Sequence, residues 1–221
     1  ALLNVQGIDV HAEDKNKQTP LHWATDERIV NALIAQGAKV NAEDKNKQTP
    51  LHWAVKDCNT AVIWALINNN AEVNAKDKNK QTPLHLAVKG GNTAVIWALI
   101  DNKAKVNAKD KNKQIPLHWA ASGKVARYLI IQGAEVNAID NDENTPLHLA
   151  AEKGYITVIK ALLDKEANIH AKNKAGRTPL YYSANVDIKN ALIAAGAKDV
   201  PVAEVHSKDK EDIPLQDTTM E

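Results

Sequence analysis

TPLHWAVKDCNTAVIWALINNNAEVNAKDKNKQ, running from Thr49 to Gln81, holds the reading that decides the fold. Its opening phrase returns along the chain: TPLHWA at Thr19, TPLHLA at Thr82 and Thr145, IPLHWA at Ile115 and TPLYYSA at Thr178. Successive starts lie 30, 33, 33, 30 and 33 residues apart. A fixed period near 33 residues describes a solenoid of stacked units, each burying its apolar face against its neighbours rather than in a shared globular centre.

Within the quoted unit, Thr49 reads as a helix N-cap and Pro50 as a first-turn residue, where a missing N–H is harmless. Leu51, Ala54 and Val55 give a short helix an apolar stripe, and the chain breaks at Asp57–Asn59. Val62, Ile63, Leu66 and Ile67 then recur at the spacing of a second helix. Asn70 stands where Gly37, Gly133 and Gly196 stand in other units, the residue types suited to a left-handed helix terminus. A polar stretch, NAKDKNKQ, turns the chain back to the next Thr.

These phrases, TPLH-x-A, then V-x-x-L-[LI], then G-A-x-V-N-A, closely resemble the ankyrin repeat over roughly residues 1–198. The resemblance implies an all-α solenoid of stacked helix-turn-helix units, with hairpin fingers projecting from one edge. The array reads as a truncated first unit, where ALLNVQGIDVHA matches ALIAQGAKVNA at Ala32–Ala42, followed by six units starting near residues 19, 49, 82, 115, 145 and 178. The two 30-residue units lose three residues between their helices, so tighter turns are expected there. Residues 199–221 lose the pattern and read as a flexible charged tail, with VPVAEV and IPLQ as segments able to dock in extended form.

The bulk chemistry narrows the function. A net charge of +1 over 221 residues gives no global field for nucleic acid or an anionic membrane. No apolar run approaches the roughly 18 residues of a membrane span. The single cysteine, Cys58, cannot form an internal disulfide, which points to a reducing, cytoplasmic setting. No phosphate loop, metal-ligand spacing or nucleophile elbow appears, so no catalytic residue, cofactor or metal is expected. His22, His52, His85, His118 and His148 recur at the period of the array, about 10 Å apart on packed helices, too far to share one ion. The resemblance assigns this His to hydrogen bonding within TPLH and to the neighbouring backbone; Tyr181 replaces it in the last unit.

Three sets of residues are candidates for contact. Trp23, Trp53 and Trp119 follow the His on the first helix, with Leu86, Leu149 and Tyr182 in equivalent places. They either pack between units or floor a concave groove with partly exposed rings. The fingers alternate in charge: those around Lys15 and Lys45 are neutral, those around Lys78 and Lys111 are positive, Asp140, Asp142 and Glu143 make one negative, and Lys172, Lys174 and Arg177 make one positive. Lys47, Lys56, Lys78, Lys80, Lys89, Lys111 and Lys113 form a central basic zone suited to an acidic protein surface or peptide. A solvated polar edge is the other reading.

The family's finger usually has Gly two residues before Thr, and Lys17, Lys47, Lys80 and Lys113 occupy that place. Either charge is selected there or one drifted unit was duplicated. Trp64 and Trp97 lie on the second helix between its apolar positions, where other units carry Asn31, Arg127, Lys160 and Asn190. An outer aromatic and cationic patch of Trp64, Trp97 and Arg127 is expected.

Finger tips and first-helix residues are the usual partner surface of the resembled family. The expected function is therefore non-catalytic protein binding through the concave face and fingers. Nucleic acid is a poor fit because Arg is scarce and charge alternates along the edge. The Lys- and Asn-rich fingers resemble ankyrin arrays of intracellular bacteria, which implies a host-directed effector delivered into host cytoplasm. Two other classes stay open: an accessory targeting domain of a larger enzyme or toxin, and a self-associating structural scaffold.

Overall fold

The computed structural model describes residues 9–183 and 185–198. The expected tail at 199–221 and most of the truncated first unit lie outside the described residues.

Each unit opens in the same way. The residue before Pro is extended, with φ near −90° and ψ near 165°, and Pro takes the first helical position. In three units this starts an inner α-helix: α2 (Pro50–Lys56), α4 (Pro83–Gly90) and α7 (Pro146–Glu152). The outer helices are α1 (Glu27–Ala35), α3 (Thr60–Asn68), α5 (Thr93–Asp101), α6 (Gly123–Ile131), α8 (Ile156–Leu163) and α9 (Val186–Ala194). Asn59 and Asn92 cap α3 and α5 by accepting from the N–H groups of Val62 and Val95, as Asp26 caps α1 through Arg28.

The short units differ in a way that loop length alone does not convey. Their inner helix is a single 3-10 turn, Pro20–Trp23 or Pro116–Trp119, and the last unit shares this form at Pro179–Tyr182. The missing residues are the final inner-helix turn that carries Val55 or Val88 elsewhere, rather than a tightened connection. The chain then leaves through an extended Ala24 or Ala120 and reaches the outer helix directly. Long units instead reverse through a left-handed residue: Cys58, Gly91 or Gly154.

The outer helices end as expected from Asn70. Asn70 is left-handed, its N–H donates to Ile67 O, and Ala71 N–H donates to Leu66 O, so two terminal carbonyls are satisfied. Lys103 and Glu166 hold the same conformation without being Gly or Asn.

The core is one strip along the array. Leu21, Leu51, Leu84, Leu117 and Leu147 from the inner elements meet Ile63, Leu66, Ile96, Leu99, Leu129, Ile159 and Leu162 from the outer helices, all fully buried. Each such side chain contributes roughly 1.5–3 kcal/mol of burial. Because neighbouring units share this strip, no single unit closes a core alone.

Three rows of hydrogen bonds tie unit to unit. In the first, each buried His reaches the backbone of the following unit. In the second, the fingers bond tip to tip: the N–H groups of Lys45, Lys78, Lys111 and Asn141 donate to the carbonyls of Asn16, Asn46, Asn79 and Asn112 at 2.7–2.8 Å. In the third, the side-chain carbonyls of Asn41, Asn74, Asn107 and Asn137 accept from the N–H groups of Glu72, Lys105, Glu135 and Asn168 at 2.7–2.9 Å. The inner elements and fingers thus line one face, and the outer helices line the opposite one.

Candidate functional site

At the root of each finger sits an aspartate. Asp44 Oδ1 accepts from the N–H groups of Asn46 and Gln48, and Asp77, Asp110 and Asp140 repeat the pattern two and four residues on. These four carboxylates are buried. Their second oxygens are used as well where Gln48 reaches Asp77 and Gln114 reaches Asp140. This changes the alternating charge pattern expected along the edge. These four aspartates are internal braces, Asp14 closes the first finger in the same way but stays exposed, and the finger tips from residue 15 to residue 113 present lysine and asparagine flanked by Glu13, Asp14 and Glu43.

Lys17, Lys47, Lys80 and Lys113 all have φ between 57° and 61°, so the conformation Gly would favour is imposed on a lysine in each of these fingers. Each costs on the order of 1 kcal/mol relative to Gly. Glu143 shares the strain, and only the last finger relieves it, with Gly176. Lys17, Lys45, Lys47 and Lys78, together with Glu43 and Asp44, line an open hollow of about 370 Å³ between the first fingers.

Beside the fingers, the inner elements place the row of indoles. The ring centroids of Trp23 and Trp53 are 5.5 Å apart and tilted by 43°. Trp23 is 59% exposed, because the short unit provides no second helical turn to cover it. Trp53 is half-buried, and its Nε1–H donates to Asp44 Oδ2 at 3.2 Å. The Lys56 ammonium lies 5.1 Å from the Trp53 ring centre and also donates to Gln48 Oε1. Trp119 carries two ammonium groups, Lys89 at 5.0 Å and Lys153 at 5.6 Å. At Trp53 and Trp119 the groove floor is therefore indole overlaid by lysine, whereas Trp23 presents bare aromatic surface. At the far end, Tyr181 is exposed under the Arg177 guanidinium.

The outer face holds Trp64 and Trp97, 43% and 40% exposed. The cation beside them is not the expected one. Arg127 pairs with Asp164 at 3.3 Å, and it is Lys124 that lies 5.2 Å over the Trp97 ring. Tyr128 packs edge-on against Trp97 at 5.8 Å, and Ile131, one helical turn on, is 71% exposed. Tyr128 was legible as a departure: the equivalent residue elsewhere is Ala32, Ala65, Ala98, Ala161 or Ala191. Lys153 and Lys124 carried no such signal, because only stacking brings them to rings of a neighbouring unit.

The five histidines are buried between units. In each, Nδ1 accepts a backbone N–H from the residue three positions earlier, at 3.0–3.2 Å. Nε2 must then carry the proton, and it faces a carbonyl of the next unit: Gln48, Gln81, Gln114, Asn144 or Arg177, at 3.1–3.3 Å. Burial pushes all five imidazoles below the usual histidine range, against the raising effect of those carbonyls.

A family model described as ankyrin repeats in three copies matches residues 1–77, 58–140 and 125–202. The chain belongs to the ankyrin-repeat family. No curated protein matches the chain. Ankyrin repeats generally serve as protein-protein interaction modules and are typically non-catalytic. Among the described residues, no helix is long and apolar enough to cross a membrane.

Proposed function

We propose that this chain is a non-catalytic binding module whose inner face and finger tips hold a protein partner with an acidic surface. The observation that carries the reading is unpaired positive charge. Among the described residues, Lys47, Lys56, Lys78, Lys80, Lys89, Lys111 and Lys113 have no carboxylate within 4 Å. They share one side of the molecule with Trp23, Trp53 and Trp119. The aspartates that would offset the tips are turned inward onto backbone N–H groups. Exposed lysines steer an acidic partner, while half-covered indoles supply apolar contact once it docks. The hydrogen-bonded stack is preformed, so little ordering is needed on binding. A host-directed role within this reading rests on the Lys- and Asn-rich fingers alone.

The test is capture from host and source-cell lysates by this chain and by a Lys47→Glu/Lys80→Glu/Lys113→Glu variant of equal helicity. The expected result is a protein held by the first and lost by the second, with affinity that falls as salt rises. A partner held equally by both, or one indifferent to salt, removes the fingers from the site.

A further inference from the structure

Trp119 lies in a step on the inner face. Its unit has only the turn Pro116–Trp119, whereas the units on either side carry the longer helices α4 and α7. A long unit covers its indole with its own lysine, as Lys56 covers Trp53 from three residues along the same helix. The short unit has lost the turn that would carry this lysine. Two lysines from the flanking units lean across the gap instead: Lys89 from the last turn of α4 and Lys153 from the C-cap of α7. Two like charges thus sit over one ring, and among the described residues neither has a carboxylate within 4 Å. Glu152, next to Lys153 in sequence, lines a hollow with Asn144, His148, Leu149 and Tyr182. The indole is also held differently from that of Trp53. Trp53 Nε1–H donates to Asp44, while Trp119 Nε1 is buried with no acceptor among the described residues.

We infer that this step is a carboxylate subsite, and that it anchors one Asp or Glu side chain of an acidic segment lying along the inner face. The inference rests on the proposed reading of an acidic partner and says where that partner is gripped. The two carboxylate oxygens take one ammonium each, from Lys89 and Lys153. The methylene stem of the bound side chain lies on the Trp119 ring that the ammonium groups vacate. Lysine suits this exchange because its charge rides on a flexible four-carbon stem, free to leave the ring for an anion. The missing helical turn makes the room, so this site occurs where a short unit stands between two long ones. Among the units described, only the one beginning at Ile115 meets that condition.

The experiment is a titration of the full chain, labelled with nitrogen-15, with the capped peptide acetyl-Ala-Glu-Ala-amide at constant ionic strength. The control peptide carries Gln in place of Glu. The indole signals are followed in proton–nitrogen correlation spectra, and Trp119 is assigned from a Trp119→Phe variant. A saturable shift of the Trp119 indole with the Glu peptide and none with the Gln peptide is expected. Lys89→Gln/Lys153→Gln should raise the half-saturating concentration about twofold to thirtyfold, the range for losing two exposed ion pairs, while backbone signals of the other units stay in place.

No Trp119 shift, an equal shift of every indole, or an unchanged titration in the double variant each overturns the subsite. Lysate capture can succeed while this titration is flat, which sinks the subsite alone. A specific titration with no acidic partner captured sinks the wider reading and leaves the subsite standing.

Discussion

Acid should loosen this array through its histidines, and the size of the effect follows from the five repeated hydrogen-bond pairs. His22, His52, His85, His118 and His148 are neutral in the folded chain, with Nδ1 already facing an N–H donor. A second ring proton would have to enter at Nδ1, against that donor. Their folded-state pKa values are lowered from the ordinary 6.5, with burial as the leading cause. Below pH 6.5 the unfolded chain therefore binds protons that the folded chain refuses. Stability is complete above 6.5 and falls as pH drops from 6.5 toward the folded values. In that window each imidazole contributes a slope of at most about 1.4 kcal/mol per pH unit. Five acting together set an upper limit of about 7 kcal/mol per unit, against a whole-domain stability of about 5–15 kcal/mol. Asp26, held to about 2 by its hydrogen bonds to Arg28, adds nothing in this range.

Urea unfolding followed by far-UV circular dichroism at about pH 7.5 and about pH 5.5 should show a much lower midpoint at the acid value. His85→Gln lowers the starting stability, but it should also cut the pH slope by about a fifth, since one of five titrating groups is gone. Equal midpoints at both pH values, or an unchanged slope in His85→Gln, would refute the argument.

Replacing Lys47, Lys80 and Lys113 together by Gly should raise the urea midpoint, because each left-handed lysine carries about 1 kcal/mol of strain that Gly relieves; a lower midpoint would mean that the tips are not strained. Gly123→Ala should destabilise by about 1–3 kcal/mol, because a Cβ there runs into the Thr157 carbonyl where α6 meets α8. Thermal melts of the two proteins settle that point. Trp64→Ala/Trp97→Ala should keep the fold at a cost of about 1 kcal/mol or less from the Trp97–Tyr128 edge contact, beyond the area uncovered. If that variant also keeps its sedimentation behaviour and every captured protein, the outer patch has no contact role.

Much of the array was legible because it repeats. Thr-Pro caps, the apolar positions of both helices and the left-handed Asn70 are local choices, and six copies of one phrase state them redundantly. The histidine ladder was legible through the family resemblance. The Asn41, Asn74, Asn107 and Asn137 ladder had the same periodicity but looked like one more polar loop, because its partners lie about 30 residues away. The finger aspartates were misplaced for a related reason. Asp44 has lysine neighbours in sequence, yet its partners are the N–H groups of the turn it closes, and a charge count ignores backbone donors.

By itself the sequence determined the class of architecture and the apolar positions that form the core strip, because period, capping and apolar spacing act within one unit. Tertiary structure decided which cation meets which ring. Arg127 goes to Asp164, Lys124 to Trp97, and Lys89 and Lys153 to Trp119. Those pairings depend on the offset between stacked units and on inner helices of unequal length. Long, exposed side chains take whatever the neighbouring unit presents, and nothing within a unit's own 30 or 33 residues encodes what its neighbour will offer.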